Sequence, residues 1–276
     1  MVKDKGSIRL IGAPTTAGCR SETAHLMDQA NAPQAIRKAY TEMMEGFNIP
    51  AHFTDSGDLT LTGSTDTVLA AVTAAVEAER KLGTVPVILG GAHTVTLGTL
   101  RALAKTDGEF SVVYLDAHPD LMPRQEINYG SSIYHALKEG VIKPNRLAFL
   151  GIRHVELEEE EIILRDKIFA RSAVDIATAG VRETLAELTA AVPPPYVVSI
   201  DFDAIDPAFA PGVTLPYPAG VTPREVLGIF AGLAPRGVIT LELMELSPAN
   251  DPDGRTLALA GEILYRTTKA ISEAAA

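Results

Sequence analysis

Three residues with metal-binding side chains stand at alternate positions in the segment "DAHPD". They are Asp116, His118 and Asp120, and the apolar run "VVYL" precedes them. Alternate residues of a strand point to one side of a sheet, so this spacing predicts that the three side chains face the same space. Carboxylate oxygens and imidazole nitrogens are common metal ligands. A solvated turn, in which Asp and Pro are frequent, is the other interpretation and stays open on this segment alone.

Two further segments place potential ligands after apolar runs. In "SIDFDAIDP", Asp201 and Asp203 end the run, and Asp206 follows before a proline. In "GGAHTVTLG", His93 follows a run across a Gly-Gly turn. We therefore predict six metal ligands: His93, Asp116, His118, Asp120, Asp201 and Asp203.

The charge of this ligand set favours two divalent ions over one. Four buried carboxylates repel one another and are very unfavourable without cations. Two divalent ions would balance those four charges. A set rich in carboxylates and lacking thiolate suits Mn²⁺ better than Zn²⁺. Two such ions about 3.5–4 Å apart can lower the pKa of a shared water toward neutrality.

The elements that position these ligands are short apolar runs alternating with helical patterns. Six runs rich in Val, Ile and Leu predict strands covered on both faces: "IRLIGAP", "VPVILGG", "SVVYLD", "RLAFLGI", "YVVSID" and "GVITLEL". Three stretches have helical spacing: "TDTVLAAVTAAVEAERKLG", "REVLGIFAGLA" and "TLALAGEILYRTTKAISEA". This alternation predicts a mainly parallel sheet with helices on both faces, formed by one domain over residues 1–276. Ligands bind at the carboxyl ends of strands in such sheets, which is where the predicted metal ligands stand.

Composition excludes several classes of partner. The net charge of −11 disfavours nucleic acid and acidic membrane surfaces, whereas a small basic or neutral substrate is compatible with it. The single cysteine, Cys19, permits no disulfide within the chain and fits a reducing compartment. The first residues lack the apolar core of a signal peptide, and no apolar run is long enough to span a membrane. We expect a cytoplasmic protein.

The three ligand segments resemble, in order, the signatures of the ureohydrolase superfamily, which includes arginase, agmatinase and formiminoglutamase. Further segments are similar to that family: "NAPQAIRKA", "PAGVTPREVL" and "LELMELSPANDPDGRTLALAGEIL". The resemblance covers nearly the whole chain, and it is specific because the three signatures occur together. It implies a three-layer α/β/α sandwich around a mainly parallel sheet, and assembly as a homotrimer or homohexamer.

The resemblance also implies roles for individual residues. The ligands of one Mn²⁺ would be His93, Asp116, Asp120 and Asp201, and those of the other Asp116, His118, Asp201 and Asp203. Asp120 would also accept a proton during catalysis. Glu245, in "MELSP", matches the glutamate that pairs with a substrate guanidinium, although spacing alone favours a surface charge at the end of a strand. Asp206 matches a family position outside the metal ligands, so we expect it to hold its loop.

Two positions depart from the family pattern. Ala92 stands where the family usually has an aspartate that supports the metal ligands, which implies a weaker or differently tuned site. Aligning "INYGSSIYHALKEG" with the family places Tyr129 where a catalytic histidine is usual, and Asn128 at the preceding serine. A phenol titrates near 10, so Tyr129 is a poor proton shuttle at neutral pH but can donate a hydrogen bond. His135 could take the role, although a core or surface position is the commoner case.

We expect a Mn²⁺-dependent hydrolase of a small cationic guanidino or amidino compound, with Asp120, Glu245 and Tyr129 as catalytic residues. Glu156 and Glu159 could meet a substrate amine, or they could form an acidic, solvated helix start. Two alternatives stay open: a formiminoglutamase-like hydrolase, and a metal-binding relative with reduced or lost activity. A single-zinc deacetylase-type hydrolase fits less well, because one metal would leave several carboxylates without a cation.

Overall fold

The computed structural model describes residues 7–19, 27–45 and 50–275. In this part of the chain, eight parallel strands form one sheet, in the order β2-β1-β3-β8-β7-β4-β5-β6. The strands are β1 (Ile8–Ala13), β2 (Thr54–Asp58), β3 (Val85–Gly90), β4 (Ser111–Leu115), β5 (Leu147–Ile152), β6 (Phe169–Ser172), β7 (Tyr196–Asp201) and β8 (Val238–Met244). The central strands are fully buried, as expected for a sheet covered on both faces.

Helices cover both faces of the sheet and divide the core into two layers. The helices are α1 (Ala32–Met44), α2 (Thr65–Leu82), α3 (Val95–Thr106), α4 (Ser132–Lys138), α5 (Leu157–Asp166), α6 (Ala173–Ala179), α7 (Val181–Ala191), α8 (Pro223–Leu233) and α9 (Arg255–Ala275). Apolar residues of α1, α6, α7, α8 and α9 pack into one layer, and those of α2, α3, α4 and α5 into the other. The predicted three-layer α/β/α sandwich is confirmed.

All six predicted strands and all three predicted helices form, but two strands had no signal in the sequence. These are β2 and β6, the two edge strands of the sheet. All five residues of β2 are exposed, and those of β6 are only half-buried, so neither contains an apolar run. An edge strand can be held by backbone pairing with one neighbour, and pairing of that kind leaves little trace in side-chain hydrophobicity.

The ends of α2 show how local sequence fixes an element. The Ser64 side chain accepts a hydrogen bond from the backbone of Thr67 at the start of the helix. Arg80 and Lys81 lie in the last turn, and Gly83 ends the helix with a φ of 84°. Basic side chains interact favourably with the carboxyl end of a helix, and glycine adopts positive φ without strain. None of the described helices combines the length and the apolar character that crossing a membrane requires.

The turn between β3 and α3 passes so close to neighbouring backbone that it requires glycine. Gly91 donates its N–H to the carbonyl oxygen of Ala13, and Ala92 donates to that of Thr15. A Cβ atom on Gly91 would lie 2.0 Å from the Thr15 carbonyl oxygen. The turn therefore packs directly on the segment after β1, and this contact sets the position of His93.

Gly91→Ala should lower the free energy of unfolding by about 1–3 kcal/mol, because the new methyl group meets backbone atoms that cannot move aside. Denaturant-induced unfolding of the metal-free protein measures the change. Gly130→Ala is the matched control, since its Cβ would meet nothing closer than 3.7 Å. Equal stability of the two variants would contradict the proposed constraint.

Candidate metal centre

Four adjacent strands, β3, β8, β7 and β4, end at the same edge of the sheet. The ends of these strands and the segments that follow them contain all six predicted metal ligands together with Glu245. The polar side chains that the sequence singled out therefore converge on one place above the centre of the sheet.

The first ligand group consists of His93, Asp116 and Asp120, whose ligand atoms lie within 4.8 Å of one another. The Nδ1 atom of His93 is 3.0 Å from Oδ2 of Asp116 and 2.9 Å from Oδ2 of Asp201. Asp201 thus borders this group from β7. All four side chains are buried, with at most 5% of their surface exposed.

The second ligand group consists of Asp116, His118 and Asp203, with ligand atoms again within 4.8 Å. The Nδ1 atom of His118 is 3.3 Å from Oδ1 of Asp116 and 3.1 Å from Oδ2 of Asp203. Asp116 belongs to both groups and turns one carboxylate oxygen toward each. The structure therefore brings five of the six predicted ligands together as two overlapping groups, and Asp201 lies beside the first of them.

Strand alternation does not produce this convergence, contrary to the prediction for "DAHPD". The strand β4 ends at Leu115, before the first ligand. Oδ1 of Asp116 instead accepts a hydrogen bond from the backbone N–H of His118, and Oδ1 of Asp201 accepts one from that of Asp203. Asp120 adopts a φ of 51° in the left-handed region. Tight turns stabilised by the aspartates themselves gather the ligands.

Burial of the carboxylates makes their charged forms unfavourable. It raises the pKa of Asp120 well above its usual value, and the nearby charge of Asp116 adds to the shift. Burial likewise raises the pKa of Asp201, together with the charges of Asp203 and Asp116. Burial also acts on Asp116, but hydrogen bonds from His118 and His93 outweigh it, so its pKa is lowered.

For the two histidines, contacts with the aspartates outweigh the effect of burial, and the charged form is favoured. Burial disfavours the charged form of His93, but hydrogen bonds to Asp116 and Asp201 outweigh it and raise the pKa of His93 well above its usual value. The pKa of His118 is raised for the same reason, since Asp203 and Asp116 outweigh the effect of burial. Metal ligands must be deprotonated, so divalent cations bound at this cluster would displace any protons on the histidines. The donor atoms, their spacing and their charge fit such cations.

Glu245 borders the same site from the end of β8. Its Oε1 accepts the backbone N–H of His93 at 2.7 Å, and its Oε2 accepts Nε2 of Gln29 at 2.6 Å. Its backbone has a φ of 62°, which turns the side chain back over the sheet edge. Burial raises the pKa of Glu245, and the two hydrogen bonds oppose that shift. The interpretation of Glu245 as a surface charge is wrong, because the residue is partly buried beside the metal ligands.

A cavity of about 540 Å³ opens above the ligands. Tyr129 and Glu245 line it, as do Glu156, Glu158 and Arg124 near its rim. The structure therefore places Tyr129 at the site, as the alignment predicted.

Other residues named from the sequence have structural roles. The Asn128 side chain caps the short turn before α4 by accepting from Gly130. Asp206 holds its loop, as expected, through the backbone of Ala208 and Gly220. Glu159 lines the cavity, and its two oxygens accept backbone N–H groups from Leu121 and Glu156.

His135 does not reach the site. It is buried in α4 beside Tyr134, at a ring-centroid distance of 5.5 Å, and it is absent from the described residues that line the cavity. The idea that it replaces the usual histidine is therefore not supported. His135 is a core residue, the commoner case for an isolated histidine.

Several functional contacts were missed from the sequence. The Tyr114 hydroxyl donates to Oδ2 of Asp120 at 2.6 Å, and Oγ of Ser199 lies 2.8 Å from Nε2 of His93. A signal was present, because each is a polar residue inside an apolar run, two positions before an aspartate ligand. His154 and Tyr217, whose stacked rings are 3.5 Å apart beside His118, had no such signal.

Comparison with known proteins identifies the family. A family model described as "Arginase family" matches residues 7–269. The chain belongs to the arginase family. The resemblance of its motifs to the ureohydrolase superfamily is confirmed by this match and by the relatives of this chain.

Those relatives include agmatinases and an amidinohydrolase. An agmatinase of Proteus mirabilis is 32% identical over 84% of this chain and 77% of its own length. The match to an agmatinase of Photorhabdus laumondii, 35% identical over 64% of this chain, spans only 57% of that protein. Proclavaminate amidinohydrolase of Streptomyces clavuligerus is 31% identical over 95% of this chain and 88% of its own length.

Solved structures share the fold. That of proclavaminate amidinohydrolase from Streptomyces clavuligerus has a TM-score of 0.86 at 28% identity, covering 99% of this chain and 94% of that one. An arginase from Bacillus caldovelox has a TM-score of 0.84 over 95% of this chain and 98% of its own. At 23% identity, the arginase match supports the fold alone.

Proposed function

We propose that this arginase-family chain is a hydrolase that cleaves a C–N bond of a small guanidino or amidino compound with the help of two Mn²⁺ ions. The observation that carries the proposal is the divided carboxylate of Asp116. One oxygen lies 3.0 Å from Nδ1 of His93, and the other 3.3 Å from Nδ1 of His118. A buried carboxylate shared in this way suits a pair of cations, and the carboxylate-rich donor set favours Mn²⁺.

The residues of the chain would then divide the chemistry among them. The ligands His93, Asp116, His118, Asp120, Asp201 and Asp203 would hold the ions. When bound, the ions supply a water of lowered pKa as the nucleophile. Asp120 would accept a proton and pass it toward the leaving amine. Glu245 would face the guanidinium, and the Tyr129 hydroxyl would donate a hydrogen bond to the substrate.

The substrate class follows from charge and from the relatives. Glu245 presents a carboxylate to the cavity, and Glu156 and Glu158 lie near its rim. The relatives named above are agmatinases and an amidinohydrolase, so agmatine, arginine and other guanidino compounds are the substrates to test first. Formiminoglutamate, the alternative that the sequence left open, is the second candidate. Cytoplasmic location and assembly as a homotrimer or homohexamer stay predictions.

A single-zinc site is the less suitable alternative. A metal held by Asp116, His118 and one further aspartate would leave Asp120 buried next to Asp116, without a cation of its own. Removing one partner of a buried charge cluster typically costs about 3–5 kcal/mol. The count of metals per chain separates the two arrangements.

The chain should bind two Mn²⁺ ions and release urea, ammonia or an amine from at least one guanidino or formimino compound. Elemental analysis after dialysis, at saturating metal, measures the stoichiometry, and a panel of substrates measures the activity. Asp203→Asn should lose one ion per chain. Asp206→Asn is the matched control and should keep both, because the Asp206 side chain accepts from the backbone of Ala208 and Gly220 and belongs to neither ligand group. One ion per wild-type chain would contradict the two-metal centre.

Glu245→Gln should lower kcat/KM for a cationic substrate while the metal content stays unchanged. A carboxylate facing a guanidinium makes charge-assisted hydrogen bonds, and losing a buried partner of that kind costs about 2–5 kcal/mol. Steady-state kinetics on the best substrate measures the loss. Gln29→Ala removes the neighbour of Glu245 and keeps its charge, so its effect should be much smaller. Normal turnover by Glu245→Gln would show that Glu245 does not bind the guanidinium.

Tyr129→His should raise the rate on at least one substrate of the panel. A positioned general acid or base contributes about 10²–10⁴-fold, so its restoration should be visible even if imperfect. Tyr129→Phe keeps the ring, removes the hydroxyl and should give no increase. If both variants behave alike, Tyr129 does not occupy the position of a proton carrier.

A further inference from the structure

Tyr114 lies directly beneath the first ligand group. It is the last residue but one of β4 and is fully buried. Its ring stacks on the imidazole of His93 at a centroid distance of 4.4 Å and an interplanar angle of 14°. On its other side, the ring meets Phe149 edge-on at 6.0 Å. The imidazole therefore rests on a tyrosine ring that cannot move without disturbing the core.

The hydroxyl of the same tyrosine reaches a second ligand. It donates to Oδ2 of Asp120 at 2.6 Å, a short distance typical of hydrogen bonds to a charged acceptor. Oγ of Ser132 donates to the same oxygen at 3.3 Å. Two hydroxyl groups on one oxygen fix the plane of the Asp120 carboxylate. One side chain, Tyr114, thus contacts two of the three members of the first ligand group.

Asp120 needs such support because its backbone is strained. A non-glycine residue in the left-handed region, as Asp120 is with a φ of 51°, is strained and persists only when its surroundings hold it. The backbone N–H groups of Ile133 and Tyr134 hold its carbonyl oxygen, at 3.2 and 3.1 Å. Tyr114 and Ser132 hold its carboxylate. The backbone contacts set where Asp120 lies, and the hydroxyl groups set how its carboxylate is oriented.

We propose that Tyr114 is a positioning residue that selectively sets the affinity of the metal site formed by the first ligand group. This inference rests on the two-metal centre proposed above. Tyr114 fixes the imidazole of His93 by stacking and the carboxylate of Asp120 by its hydroxyl, so both ligands are ordered before the ion arrives. The second ligand group has no member in contact with the Tyr114 hydroxyl among the contacts of the described residues.

Tyr114→Phe isolates the hydroxyl group, because it keeps the stacked ring and removes only one oxygen atom. Partners outside the ligand shell typically contribute about 10–100-fold to metal affinity. We therefore expect one of the two Mn²⁺ ions to bind about 10–100-fold more weakly, while the other keeps its affinity. Calorimetry of Mn²⁺ binding to the metal-free protein, or competition with a chelator, resolves the two affinities without any assay of activity.

Tyr196→Phe is the matched control. Tyr196 is also fully buried, lies on the neighbouring strand β7, and its hydroxyl donates to the carbonyl oxygen of Val192 at 3.0 Å. It has the same hydrogen-bonding chemistry away from the site. Both variants should lose some stability, and only Tyr114→Phe should lose affinity for one ion. An equal effect on metal binding in the two variants would overturn the inference.

If Tyr114→Phe does not fold, Ser132→Ala tests whether the hydroxyl groups that contact Asp120 set the affinity of one ion. It removes the weaker donor to the same oxygen and should weaken the same ion by a smaller factor, roughly 3–10-fold. Unchanged affinities in Ser132→Ala would then count against the role of the hydroxyl groups. A wild-type chain that binds fewer than two ions contradicts the proposed function itself. Two tight ions in both the wild type and Tyr114→Phe contradict only the inference about Tyr114.

Discussion

The mutual repulsion of four buried aspartates is the constraint on which the rest of this structure depends. Asp116, Asp120, Asp201 and Asp203 are each at most 6% exposed and share one small space. Charges of one sign cannot be buried together unless positive charge lies among them. Two histidines provide part of that charge when protonated, and their contacts with the aspartates raise their pKa values. Divalent cations at this cluster would supply the remaining positive charge.

A parallel sheet is well suited to assemble such a cluster. Its strands all end at the same edge, so β3, β7 and β4 deliver the metal ligands, and β8 delivers Glu245, to one place without long loops. The sheet also supports the site from below with a row of polar residues. Tyr114, Ser199 and Glu242 are paired across β4, β7 and β8. Glu242 accepts a hydrogen bond from Thr96 at the start of α3, and this contact helps to fix the helix that follows His93.

The cavity wall and the metal ligands are coupled through Glu245. The carboxylate that lines the cavity also accepts the backbone N–H of His93, so one side chain borders both the cavity and the segment of a metal ligand. The cavity is also lined by Tyr129, His154 and Tyr217, which lie outside the strands of the sheet. The arrangement separates a fixed part, which holds the ligands, from a variable part, where substitutions can change the substrate with little effect on the fold.

The sequence by itself determined the layers, the six buried strands and the identity of the ligand candidates. Those features depend on hydrophobic patterning and on residue type, and both are visible one segment at a time. The edge strands β2 and β6 were invisible because backbone pairing holds them and their side chains are largely exposed. Among the ligands, His93 and Asp120 were recognisable by residue type, but the side chains that position them, Ser199 and Tyr114, were not recognised.

Only the tertiary structure decided how the ligands converge and what surrounds them. Strand alternation pointed to the right residues for the wrong reason, because the turns after β4 and β7 are what bring their side chains together. The hydrogen bond from Tyr114 to Asp120 spans a left-handed turn, and that between Gln29 and Glu245 joins residues 216 positions apart. The alignment placed Tyr129 at the usual histidine and left His135 as the less common alternative, and the structure puts Tyr129 on the cavity wall and His135 in the core. Contacts of this kind follow from the crossing of distant segments, which no local pattern records.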